Sequence, residues 1–242
     1  MPRFPLIPCP ARSAVAALAT LVGLGAAAPE MQAQDIQVRV MPSAGWFHPT
    51  SALYETDFSP GLVNPARAEL EGAPILGLGL HAVPVGALIS FRLAVERTVS
   101  LDARVVGRDP LVGSPEDQWP EHHFTVPASV TMVTGDILLH PDRREFRMDP
   151  YLFVGVGWKS YSFGDPEPED EVGFDFPEDA SGGRIHYGAG MELRLARVPM
   201  SAEIGGNYNR FVLVDDEQGI SKSRAQHEFH FTLRAFIRGF SF

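Results

Sequence analysis

Between Arg184 and Leu195 apolar and polar residues alternate without a break. Ile185, Tyr187, Ala189, Met191, Leu193 and Leu195 fall on one side of an extended chain, and Arg184, His186, Gly188, Gly190, Glu192 and Arg194 on the other. Successive side chains of a strand point to opposite faces, so this segment is a ribbon with one apolar and one polar face. Seven further segments carry the same period. Residues 36–48 begin with Ile36, Val38 and Val40 against Gln37 and Arg39, and residues 75–83 set Leu76, Leu78, Leu80 and Ala82 against Gly77, Gly79 and His81. The longest run, 87–105, has Ile89, Phe91, Leu93, Val95, Val99, Leu101 and Val105 on one side. Ser90, Arg92, Glu96, Thr98, Ser100, Asp102 and Arg104 lie on the other. Residues 124–139 start in one phase (Phe124, Val126, Ala128, Val130, Met132) and end in the other (Ile137, Leu139), which predicts a bulge at Thr134-Gly135-Asp136. Residues 151–163, 200–214 and 226–242 complete the set, with Leu152, Val154, Val156 and Trp158, then Ile204, then Phe229, Phe231 and Leu233 on their apolar faces.

The connections alternate in length. Short ones fall at 84–86, 140–149 and 196–199, and long ones at 49–74, 107–123, 164–183 and 215–225. Short turns at one end and long loops at the other characterise an even-stranded outer-membrane barrel. The predicted fold is therefore all-β: an eight-stranded antiparallel up-and-down transmembrane barrel over residues 35–242. The sequence contains no heptad, no internal repeat and no second domain.

Alternation alone does not say which face is inside. A lipocalin-type soluble barrel turns its apolar face inward around a ligand, whereas a membrane barrel turns it out to lipid. Aromatic residues near the segment ends favour the second: Trp46, Phe47, Trp158, Tyr161, Phe163, Phe211 and Phe229 toward the long loops, Tyr151, Phe240 and Phe242 toward the short turns. The polar faces also mix signs, as a narrow lumen filled with paired charges requires. The expected interior network is Arg92, Glu96, Asp102, Arg104, Arg184, His186, Glu192, Arg194, Glu203, Glu228, His230 and Arg234. Gly155, Gly157, Gly188 and Gly190 on the polar face either thin the lumen or relieve crowding in it.

Composition adds a leader and removes some chemistry. Arg3 and Arg12 precede an apolar run at 14–28 that ends near Gln34. That is the pattern of a signal peptide over residues 1–34, and the run is shorter than the roughly 20 residues of a membrane helix. The single cysteine, Cys9, lies within it, so the exported chain has no thiol and no disulfide. Without Arg3, Arg12 and Glu30 there remain 18 basic against 29 acidic residues, which excludes a nucleic-acid surface.

With its strand pattern and the aromatic C-terminal segment ending at Phe240 and Phe242, the chain from residue 36 onward resembles the small outer-membrane barrels of the OmpA-like and OmpW-like type. The resemblance implies residence in the outer membrane of a Gram-negative-type bacterium, contact with outer-membrane lipid, and recognition of Phe240 and Phe242 by the outer-membrane assembly machinery. Arg234 and Arg238 depart from the apolar alternation of such a terminal strand. Pro127 departs too, since a closed barrel has no free edge for a residue without an amide proton.

Other motifs carry little chemistry. The stretch 164–180 holds Asp165, Glu167, Glu169, Asp170, Glu171, Asp175, Glu178 and Asp179 with no base, a donor set for divalent cations, though without a calcium-loop spacing. His227 and His230 face opposite ways on a strand and cannot share a metal. No Gly-x-Ser-x-Gly, HExxH or glycine-rich phosphate loop occurs, and no histidine–serine pairing is visible. The expectation is a protein with no cofactor and no enzymatic activity, with a structural or surface role. A narrow channel for small solutes and a secreted soluble lipocalin-like ligand carrier are the alternatives.

Overall fold

A computed structural model describes residues 36–56, 66–108, 115, 118–141, 148–164, 179–195, 198–215 and 220–237, with backbone alone at 54–56, 66, 179, 194–195, 211–215 and 220–224. The segment 1–34 expected to be a signal peptide, nearly all of the acidic stretch, and Arg238, Phe240 and Phe242 lie outside the described residues. Eleven strands are formed: β1 (Ile36–Pro49), β2 (Tyr54–Thr56), β3 (Ala66–Leu70), β4 (Ala73–Pro84), β5 (Ile89–Thr98), β6 (Leu101–Arg108), β7 (Glu121–Leu139), β8 (Met148–Phe163), β9 (Asp179–Leu195), β10 (Val198–Asp215) and β11 (Ile220–Ala235). Around the circuit the order is β7-β5-β4-β1-β11-β10-β9-β8, and β8 returns to β7. This closes an eight-stranded antiparallel barrel. Strand β6 continues the stave begun by β5, and β3 and then β2 add to the outer side of β6 as a short sheet.

The two faces invert their chemistry with height. Over the lower part, nearest the short turns, the outward positions are apolar: Leu76, Leu78 and Leu80 on β4, Phe91 and Val95 on β5, and Phe229, Phe231 and Leu233 on β11. Val156 is 70% and Ile204 67% exposed, values that only a partner other than water explains for a band of this extent. On β8 the band runs from Met148 to Trp158 and then gives way to Ser160 and Ser162. At roughly 3.3 Å per residue and a tilt of about 40°, that run spans about 25 Å, the height of the apolar band of an outer-membrane barrel. Its upper limit is continuous across neighbouring staves, because Leu76 faces Arg97, Arg97 faces Thr131 and Thr131 faces Ser160.

Above that limit the wall is built like a soluble protein. Leu101, Ala103, Val105, Phe124, Val126, Val130 and Met132 point inward and join Phe47, Leu53, Ala68, Leu70, Ile75 and Tyr161 in one apolar core. Asp102 and Arg104, expected inside, are exposed on the outer face, where Arg104 Nη2 donates to Glu71 Oε1 at 2.8 Å. Phe47, Tyr161 and Tyr151 also turn inward, so the outward aromatics near the upper limit are Trp46, Trp158 and Phe229.

Two different devices produce the inversion. In β5–β6 the apolar phase of the sequence never changes, so the backbone must: Arg97 faces Thr131 and Leu101 faces Ala128, leaving three residues between on one strand against two on the other. Val99 and Ser100 are both exposed, Ser100 has a φ of 55°, and this one-residue bulge re-aims everything beyond it. In β7 the reverse holds. Its ladder to β8 runs unbroken from Ala128–Phe163 to Leu139–Leu152, so the bulge expected at Thr134–Asp136 is not there. The apolar residues simply change faces where the environments change. Because a left-handed conformation costs a residue with a Cβ, Ser100→Gly should stabilise the barrel by about 0.5 to 1 kcal/mol, read as a higher urea midpoint in detergent micelles. Pro127 also finds its reason. It sits just past the end of the β7–β8 ladder, its carbonyl accepting from Gly164 N at 2.7 Å, so its nitrogen faces the side on which β7 has become an edge.

Candidate functional site

The lumen of the membrane-height section is filled by charged side chains from six staves. Among the described residues its fully buried charges are four cations, Arg92, Lys159, Arg184 and Arg234, and four carboxylates, Glu96, Asp136, Glu203 and Glu228. Arg92 Nε donates to Asp136 Oδ2 at 2.8 Å, and its Nη1 to Glu203. Arg234 donates from Nε to Glu203 Oε2 at 3.0 Å and lies 2.9 Å from Glu96 Oε1. Lys159 pairs with Glu228, and Tyr161 donates to the same carboxylate at 3.1 Å. Among the described residues the Arg184 guanidinium has no hydrogen-bond partner; Glu96, Asp136 and Glu228 offset its charge through space. His186 bridges Asp136 (Nδ1 to Oδ1, 2.7 Å) and His230 (Nε2 to Nε2, 3.2 Å). Isolated buried charges are prohibitive; here each sign is met by an equal number of the other.

Alternation puts these residues inside, and glycines make room for them. A Cβ on Gly188 would come within 2.6 Å of Phe153 Cζ, and one on Gly205 within 2.5 Å of His230 Cε1. Gly188, Gly190 and Gly205 therefore relieve crowding by large rings, while Gly155 and Gly157 let the neighbouring backbone and Asp136 approach closely. They do not thin the filling. At the top of the network Lys159 Nζ lies 4.7 Å from the centre of the Phe47 ring and 4.4 Å from that of Tyr161, so the charge lattice passes directly into the apolar core that closes the lumen above it.

Of the residues expected in the network, Arg92, Glu96, Arg184, His186, Glu203, Glu228, His230 and Arg234 are buried in the lumen. Glu192 sits lower, half-buried at the short-turn mouth, 3.4 Å from Arg39. Asp102 and Arg104 are outside it for the reason given above, and the side chain of Arg194 is not among those described. The pairings run between staves and across the lumen; mixing of signs within a strand, as in Arg92 with Glu96, does not predict them. Asp136 and Lys159 belong to the network although the pattern did not single them out. Asp136 was read as part of a bulge, while Lys159, an inward position between Trp158 and Ser160, was legible from alternation.

A second group lies at the mouth. His81 Nε2 is 2.8 Å from Ser90 Oγ, Ser90 Oγ is 3.2 Å from His140 Nε2, and His140 Nδ1 is 3.0 Å from Asp149 Oδ2. Histidine–serine pairing is thus present, contrary to the expectation from sequence. It is hidden in the sequence because His140 and Asp149 read as part of one polar turn, whereas Asp149 is already on β8 and His140 directly follows β7.

No protein-family model matches the sequence, and no curated protein does. Solved structures are similar in fold. Neisserial surface protein A is 12% identical with a TM-score of 0.43, the match covering 84% of this chain and 97% of that one. The outer membrane protein OprG from Pseudomonas aeruginosa is 12% identical with a TM-score of 0.43, covering 86% and 98%. Outer Membrane Protein W of E. coli is 14% identical with a TM-score of 0.37, covering 86% and 100%.

Proposed function

We propose that this chain is an integral outer-membrane barrel whose membrane section is a closed, charge-neutral plug and whose role is carried by the wall that stands beyond the long-loop interface. The observation that carries this reading is the reversal of both faces at one height: charges inside and leucines outside below it, leucines inside and charges outside above it. A soluble ligand carrier has no reason to spend a continuous outward apolar band, and a lipocalin-type apolar cavity is replaced here by four buried cations and four buried carboxylates. A channel fits less well than a plug, because eight staves leave space for little more than side chains and the apolar core seals the network from above.

The projecting wall of β2, β3, β6 and β7 extends β7 about as far past the band as the band is high, and its outer face is set with exposed ion pairs such as Arg108 with Glu121 at 2.6 Å. That surface suits contact with the environment, a structural or adhesive role.

Fractionation of a Gram-negative host should recover the protein in the outer membrane, migrating faster on a cold gel before boiling than after. Recovery in the soluble periplasm would overturn the membrane reading. Reconstituted in planar bilayers, the folded barrel should show no steady single-channel conductance, and a stable ohmic conductance would favour the channel instead.

A further inference from the structure

We propose that His81, His140 and Glu192 form a binding site for one zinc-class divalent metal ion at the short-turn mouth of the barrel, with Asp149 orienting His140 from behind.

The residues come from four staves of one ring. His81 is on β4, His140 directly follows β7 and Glu192 is on β9; β5 lies between the first two and carries Ser90, and β8 lies between the last two and carries Asp149. One nitrogen of each histidine and one oxygen of the glutamate lie within 4.8 Å of one another. Two imidazoles and a carboxylate suit a borderline cation better than calcium or magnesium, which prefer an all-oxygen shell.

A second observation, independent of that convergence, points the same way. His140 Nδ1 is 3.0 Å from Asp149 Oδ2, and a carboxylate can only accept, so Nδ1 carries the proton and Nε2, which faces Ser90 Oγ, carries the lone pair. This carboxylate–histidine arrangement is the outer shell by which metal-binding histidines are held in one tautomer and one orientation. His140 Nε2 and His81 Nε2 both contact Ser90 Oγ, at 3.2 and 2.8 Å, so Ser90 holds the two imidazoles side by side at one level, and an ion bound between them would take over from its hydroxyl. The ligand atoms need to draw in by about 1 to 1.5 Å to reach a tetrahedral zinc shell, and Glu192 is half-buried at the mouth rather than locked in the core. Among its contacts is a long one to Arg39 Nη1 at 3.4 Å.

Ser90, His140 and Asp149 also share the connectivity of a nucleophile, base and acid. Ser90 is fully buried and wedged between two imidazoles, so an acyl group would have to displace His81 to reach it. An ion needs only the path between Glu192 and Asp149, whose side chains are each 19% exposed at the mouth.

The test uses the chain from residue 35 onward, folded in detergent micelles, stripped with a chelator and titrated with Zn2+ against a chromophoric competitor. Co2+ substitution reports coordination directly through its visible absorption. One equivalent should bind. Asp149→Asn should weaken binding by about 10- to 100-fold, and His140→Ala and Glu192→Gln should weaken it by at least as much and abolish the Co2+ spectrum. Glu192→Gln is partly exposed and keeps the fold, which the cold-gel shift verifies for each variant. His122→Ala/His123→Ala, on the projecting wall, should change nothing. The proposal is overturned if the folded wild type takes up no Zn2+ at a molar excess, or if Glu192→Gln and His140→Ala bind with unchanged affinity.

Discussion

Arg92→Ala should lower the unfolding free energy of the barrel by about 3 to 5 kcal/mol, because it strips a cation from two fully buried carboxylates at once. Arg92 holds Asp136 and Glu203 from one guanidinium and lies 5.0 Å from the centre of the Phe153 ring. Without it, among the described residues, Asp136 keeps its hydrogen bond with His186, and Glu203 keeps Arg234 and the Tyr151 hydroxyl. Removing the other end is milder. Glu203→Gln leaves Arg92 on Asp136 and Arg234 on Glu96, so each cation keeps a carboxylate. The loss should be smaller than for Arg92→Ala by at least 1 kcal/mol or so, the worth of roughly one charged hydrogen bond. Urea titration in micelles, followed by tryptophan fluorescence and by the cold-gel shift, measures both. Equal losses would mean that the lattice is not organised around Arg92.

Deleting Ser100 should destroy the upper wall while sparing the membrane section. Removal of the extra residue restores the phase of β5 through β6, which turns Leu101, Ala103 and Val105 out to water and drives Asp102 and Arg104 into the apolar core. Each buried charge then lacks a partner, and Leu101 and Val105 each forfeit about 1.5 to 3 kcal/mol on exposure. Hydrogen exchange should therefore accelerate throughout β3, β6 and residues 121–128 of β7, with protection retained in β4 and in β8 through β11. A barrel that keeps its upper protection would show that the bulge is incidental.

The staves themselves were legible in the sequence, since a strand with different surroundings on its two sides must alternate. What alternation cannot report is which side faces which medium at a given height. In 87–105 an unbroken period concealed a change of face, because the bulge at Val99–Ser100 absorbs it. In 124–139 a broken period suggested a bulge where the backbone is regular. Both readings assumed one inside and one outside along the whole strand, and the chain instead crosses from lipid to water. The lumenal pairs were legible as a list of inward residues but not as partners: Arg92 and Glu203 are 111 positions apart, and only closure of the barrel brings them together. The mouth cluster was not legible, because it depends on five adjacent staves sharing one level.

The inversion of both faces is tested most directly by a nitroxide scan. Residues 35–242 contain no cysteine, so single cysteines can be labelled at Leu152, Val154, Val156 and Ile204, and at Asp102, Arg104, Ser160 and Ser162, in bilayer-reconstituted protein. The first four labels should be relaxed by oxygen, which concentrates in lipid, and shielded from a water-soluble nickel chelate, while the second four should show the opposite. If Val154, Val156 and Ile204 are relaxed by the chelate as strongly as Asp102 and Arg104, the apolar band faces water and the membrane-spanning account is wrong.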